Sequence, residues 1–135
     1  MRILAVDYGE VRTGLCVSDR TGTLPGEAWV VEEWNAQALA RRIADEAAAR
    51  EAERIVLGLP KNMDGTEGPR AEKSRALAAL LEQAGAPPVV LWDERRSSVE
   101  AHAILHAAGK KEKKHRRNVD AVAASLILEG YLRSL

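Results

Sequence analysis

The stretch "ILAVDYGEVRTGLCVSD", residues 3–19, decides the fold. An apolar run ends on Asp7, a glycine-bracketed turn carries Arg12, and a second apolar run follows. Residues 2–7 read as a buried strand, "GEVRTG" as a turn, and residues 13–18 as a strand returning antiparallel. "DRTG" is a second turn signal. After it, "TLPGEAWVV" gives a third strand with a Pro-Gly irregularity near its start. Nothing local requires a charge at the end of the first strand. Asp7 is therefore either a cap for the Tyr8-Gly9 turn or a residue placed for chemistry.

Beyond this meander the pattern changes. "WNAQALARRIADEAAAR" is alanine-rich, with Leu39, Ile43 and Ala47 at helical spacing. "RIVLGLP" is a short, continuously apolar strand of the parallel-sheet kind. The loop "PKNMDGTEGP" leads into a helix near 69–84 that stops at Gly85, and "PPVVLWDE" is the last strand. Ser97 and Glu100 have capping-box spacing, so a helix is expected from there to Gly109. The basic segment "KKEKKHRR" follows. A closing amphipathic helix, "NVDAVAASLILEGYLRSL", has Asn118 as its expected N-cap. The order β-β-β-α-β-α-β-α-α requires an α/β fold with a mixed sheet and helices packed on it. The expected strand order is 3-2-1-4-5, the ribonuclease-H-like architecture: a five-stranded mixed sheet flanked by helices.

Length and composition narrow the classes. The 135 residues most simply make one domain, residues 1–135, and 46% hydrophobic with 30% charged residues suits a soluble core and surface. With no leader-like N-terminus and no bilayer-length apolar run, the expected location is cytoplasmic, with no membrane partner. Cys16, the single cysteine, reads as a buried structural thiol. Twenty Lys/Arg balance twenty Asp/Glu, which argues against a generally basic coat. The charge is nevertheless uneven. Residues 1–60 hold seven basic against ten acidic residues, whereas residues 95–117 hold eight basic against two acidic. One concentrated basic segment suffices for a local phosphate-binding surface.

In the expected order the first and last strands open onto the same sheet edge, where α/β folds place their ligands. Asp7 ends the first, Asp93 and Glu94 end the last, and Asp120 lies in the first turn of the closing helix. Crowded carboxylates repel unless protons or cations neutralise them. Without cysteine partners, hard ions such as Mg²⁺ or Mn²⁺ suit these oxygens. Two such ions are the usual device for in-line phosphodiester cleavage. Each residue also has a plainer role: Glu94 as an ion-pair partner of Arg95, Asp120 as a complement to its helix N-terminus. His102 and His106, at i and i+4, read as helix-surface residues. Arg12 either clamps a phosphate or pairs with a carboxylate. Lys61, Asn62 and Asp64 are expected to be exposed in a loop that lines a groove or is simply solvated.

Four segments together resemble the YqgF/RuvX family of bacterial ribonuclease-H-like proteins, known as pre-16S rRNA nucleases and earlier as Holliday junction resolvases. They are "VDYGEVRTGLCVSD", "VLGLPKNMDGTEGP", "WDERRSS" and "KKEKKHRRNVDAVAASLILEGYL", and they span essentially the whole chain. Position by position, the resemblance implies Asp7, Glu94 and Asp120 as metal-binding catalytic carboxylates. Asp93 could assist or replace Glu94, and strand alternation does not decide between them. Leu15-Cys16 departs mildly from the pattern, in packing only.

The expectation is a Mg²⁺- or Mn²⁺-dependent nuclease acting on structured nucleic acid, with precursor 16S rRNA ahead of branched DNA. Substrate contacts are expected from Arg12, Lys61, Asn62, Arg95, Lys110, Lys111, Lys113, Lys114, Arg116 and Arg117. A resolvase cutting two symmetric strands would need a homodimer. A non-catalytic RNA-binding assembly module is disfavoured by anions beside a phosphate path. An ATPase of the actin and sugar-kinase type is disfavoured by a chain long enough for one domain only.

Overall fold

The computed structural model describes residues 1–96 and 116–135. Strands β1 (Arg2–Asp7), β2 (Arg12–Ser18) and β3 (Pro25–Glu32) form the meander. Helix α1 (Ala36–Ala49), strand β4 (Ala52–Leu59), helix α2 (Pro69–Gln83) and strand β5 (Val89–Asp93) follow. A single 3-10 turn covers Glu94–Arg96, and helix α3 spans Arg116–Arg133. The sheet order is β3-β2-β1-β4-β5, as expected from the sequence. Pairs β1–β2 and β2–β3 are antiparallel, whereas β1–β4 and β4–β5 are parallel. The Pro-Gly start of β3 appears as a register shift opposite Cys16–Ser18.

Side-chain alternation sorts the sheet into two buried faces. Leu4, Val6, Leu15, Val17, Ile55 and Leu57 face helices α1 and α2, meeting Leu39, Ile43, Leu77 and Leu81. Ile3, Ala5, Cys16, Val56 and Trp92 face α3. That helix answers with Ala124, Ile127, Leu128 and Tyr131, a 3-1-3 spacing that defines one helical stripe. Tyr131 packs edge-on against Trp92 at 5.7 Å between ring centroids and accepts a 2.7 Å hydrogen bond from Arg54. Cys16 is buried, and burial pushes its thiol up to about 11, the inert state expected of it.

Several boundaries differ from the sequence reading. Helix α1 starts after Asn35, whose side chain caps the Ala38 N–H at 2.9 Å, so Trp34 lies outside it. Strand β5 stops at Asp93 and leaves Glu94 in the 3-10 turn. Helix α3 is already formed at Arg116, so Asn118 is an interior residue and not the N-cap. Arginine is a good helix former, and two of them carry the helix back past the asparagine. The expected helix from Ser97 to Gly109, with His102 and His106, lies outside the described residues, as do Lys110, Lys111, Lys113 and Lys114. No helix among the described residues is long and apolar enough to cross a membrane.

Candidate active site

Parallel strands β1, β4 and β5 end at one edge of the sheet, and β2 begins there because it runs the other way. Asp7 closes β1 opposite Gly14 of β2. The 3-10 turn directs Glu94 back across β4 towards Asp7. The two carboxyls are within hydrogen-bond reach of each other. Burial, then the charge and hydrogen bond of Glu94, then the charge of Asp120 push Asp7 up from the ordinary 3.8 to about 8, against the opposing pull of Arg70.

Two glycines make this meeting possible. A Cβ on Gly14 would run into the backbone carbonyl of Asp120, so its absence lets α3 lie directly on β2. A Cβ on Gly58 would stand 2.5 Å from Glu94 Oε1 and 2.8 Å from Ile127 Cδ1. Glycine within a strand is a known mark of such close approach. "TGLCV" and "VLGLP" carried that signal, which the sequence reading passed over.

Asp93 takes the opposite direction. Arg95 grips its carboxylate through Nε at 3.0 and 3.1 Å and Nη2 at 2.6 Å, and those bonds hold Asp93 below the usual carboxylate range. Arg95 thus pairs with Asp93, not with Glu94, and also donates to the Met63 carbonyl at 3.4 Å. Arg12 faces Asp120 at 3.8 Å, both side chains partly buried. Arg116 and Arg117 lie on α3, in the turn before Asp120.

The loop after β4 is a built hairpin. Lys61 bridges to Glu67, the Asn62 N–H donates to the Thr66 carbonyl at 2.8 Å, and Asp64 accepts from the Thr66 hydroxyl at 2.6 Å. Asn62 and Asp64 are exposed, as expected, but engaged in holding the loop. Lys61 is only half-buried rather than exposed, and its charge reaches Asp93 and Glu67.

The donors fit a hard divalent cation in part. All are carboxylate oxygens, and the proton that Asp7 holds is what positive charge would replace. Among the described residues, however, no three acidic, histidine or cysteine groups stand close enough to hold an ion as they are. Asp7 and Glu94 supply a pair, and Asp120, which faces Arg12, lies near enough for its charge to act on Asp7.

This sheet and its helices define a ribonuclease-H-like protein. The fold matches Thermus thermophilus RuvC, solved in complex with a Holliday junction substrate, at a TM-score of 0.62 and 17% identity, covering 99% of this chain and 96% of that one. It also matches the fowlpox virus Holliday junction resolvase at 0.60 and 16%, covering all of both chains. At such identities the likeness is one of fold.

Residues 1–134 match the family model RuvX, described as Holliday junction resolvase, and the chain belongs to that family. It is thereby a member of a nuclease family, hydrolases acting on ester bonds. Relatives named "Putative pre-16S rRNA nuclease" are 48% identical in Anaeromyxobacter dehalogenans (98% of this chain, 96% of the relative) and 43% in Halothermothrix orenii (98% and 94%). The relative of that name in Bacillus subtilis is 41% identical (100% and 99%).

Proposed function

We propose that the chain is a divalent-metal-dependent nuclease, one domain over residues 1–135, that trims the precursor end of 16S rRNA in the cytoplasm. The observation that carries this reading is the contact of Asp7 with Glu94 at the end of β1, with Asp120 near enough to raise Asp7 further. Asp7, Glu94 and Asp120 would hold Mg²⁺ or Mn²⁺, which when bound activates water and stabilises the leaving oxygen. The chain's own part is to present these carboxylates from the end of β1, the turn after β5 and helix α3. Arg12, Lys61, Arg95 and the basic segment through Arg117 then draw the phosphate backbone over them. The names of the relatives support precursor rRNA as substrate.

A second substrate is favoured by one finding, the family's description as Holliday junction resolvase. Branched DNA would call on the same carboxylates, with a homodimer supplying two symmetric cuts. The test offers the purified chain a precursor rRNA end and a four-way DNA junction side by side, with Mn²⁺ or Mg²⁺. Cleavage of the RNA is expected. Cleavage of the junction alone would transfer the assignment to DNA, and cleavage of neither would remove the nuclease reading.

A further inference from the structure

On the α2 side of Asp7 lies a cleft of about 40 Å³ that the carboxylates do not use, lined by Tyr8, Gly9, Glu10, Arg70, Lys73 and Ser74, with Pro60 at its wall. Its volume is that of one small group rather than a base. Ser74 is only 2% exposed, and its hydroxyl makes no hydrogen bond to another described residue. That hydroxyl is not among the atoms wholly shut off from solvent, so it keeps access to the cleft that Ser74 lines. Arg70 makes no ion pair with any described residue, yet its charge reaches Asp7. Lys73 is held over the cleft by Glu10 at 3.3 Å, an exposed pair that a competing anion can open. Helix α2 opens with Gly68 as N-cap and Pro69 in its first turn, and Arg70, Lys73 and Ser74 lie on the face that lines the cleft. The opposing charges are Glu10 itself and Glu72 in that first turn.

From this cleft, its unpartnered serine and its two cations, we infer a phosphate subsite that seats one phosphoryl group of the nucleic acid, beside the bond to be cut. The inference rests on the nuclease reading for what the phosphate belongs to. Ser74 donates its hydroxyl to a phosphate oxygen, Arg70 spans the cleft and the reacting edge, and Lys73 exchanges Glu10 for the anion. Seating a neighbouring phosphate here fixes the register of the chain over Asp7 and Glu94, which phosphate contacts do without reading sequence. A terminal 5′-phosphate and an internal phosphodiester offer the same oxygens, and the experiment separates them.

The test measures binding of a precursor-rRNA-end oligonucleotide to the full chain in chelator, where no cleavage occurs. Forms of that oligonucleotide carry a 5′-phosphate, a 5′-hydroxyl, or a single neutral methylphosphonate at each position in turn. Arg70→Gln and Ser74→Ala should each weaken binding about tenfold, as expected for hydrogen bonds to a charged group. Arg70→Gln should also flatten the salt dependence by roughly 0.7–0.9 log units per log unit of salt. Neutralising one phosphate should weaken the wild type about tenfold and leave Arg70→Gln unaffected. If that phosphate is the 5′-terminal one the cleft reads an end, and if internal it reads a phosphodiester; either supports the subsite. Since Ser74 has no partner to lose, Ser74→Ala should keep its Tm. A Tm that falls while binding is unchanged would make Ser74 structural and overturn its role. If no position is masked by Arg70→Gln in a protein that still cleaves, the subsite is wrong. Masking in a protein that never cleaves would instead count against the nuclease reading alone.

Discussion

Glu94, just past the end of β5, stands against Asp7 at the end of β1, although strand β4 lies between those two strands. It reaches across because β5 has already ended and because Gly58 of β4 offers no side chain in its path. The contact crowds two acids at one point, so the folded protein holds a proton there that an isolated aspartate would have lost.

That proton sets a stability trend whose sign can be worked out. Asp7 is raised from 3.8 to about 8, so between these values the folded chain binds a proton that the unfolded chain has released. The contribution is full below the lower value and declines as pH rises to the upper one. Asp7→Asn keeps the neutral shape at every pH. In chelator, the Tm advantage of Asp7→Asn over wild type should therefore widen from pH 5 to pH 8.5, by several degrees; about 1 kcal/mol moves Tm by roughly 3–6 °C at this size. Adding Mn²⁺ at pH 8 should raise the wild-type Tm and not that of the variant. An advantage that stays constant with pH would remove the shared proton.

Cleavage should show the opposite sign. Asp7→Asn, Glu94→Gln and Asp120→Asn should each lower kcat by about a hundredfold or more, and any two together should cost far less than the product of the singles. Groups that work as one unit are not additive. Single-turnover rates at saturating metal measure this, and effects that multiply would mean the three do not share a centre.

Gly58→Ala tests the path of Glu94 directly. The added methyl meets the far ends of two flexible side chains, Glu94 and Ile127, so the fold should survive with a loss of about 1–2 kcal/mol. Glu94 must move by some tenths of an ångström or more, and displacements near 1 Å can cost about a hundredfold in rate. Urea denaturation beside single-turnover cleavage separates the two. Full activity in the alanine variant would show that the position of Glu94 is unimportant.

How far the sequence could be read depended on whether the cause was local. Apolar runs broken by "GEVRTG" and "DRTG" gave the meander, and the continuous "RIVLGL" gave a parallel central strand, so the order 3-2-1-4-5 followed. Asp7 was visible because a charge at a strand end has no local reason. The choice between Asp93 and Glu94 was not visible, since alternation fails where β5 passes into a 3-10 turn. Arg12 reads equally as a phosphate or a carboxylate partner from sequence, because the residue it faces comes from over a hundred residues away. Ser74 and Arg70 looked like ordinary helix residues in "GPRAEKSRA"; only tertiary packing brings them beside Tyr8.

The pair Arg12–Asp120 yields the last prediction, because the two partners serve different ligands. At 3.8 Å and about a third exposed on both sides, it is a weak ion pair that either ligand can open. A divalent cation must take Asp120 from Arg12, whereas a phosphate must take Arg12 from Asp120. Arg12→Gln should therefore strengthen binding of Mn²⁺ in the absence of nucleic acid, by about two- to fivefold given the small worth of such pairs. The same change should raise KM for the nucleic acid and reduce its salt dependence, since one phosphate contact is gone. Arg12→Lys keeps the charge but loses the planar fork, so it should restore the salt slope more fully than the KM. Titration calorimetry with Mn²⁺ and cleavage kinetics at several salt concentrations read the two effects independently. Weaker Mn²⁺ binding in Arg12→Gln would mean that Arg12 orders Asp120 for the cation instead of competing with it.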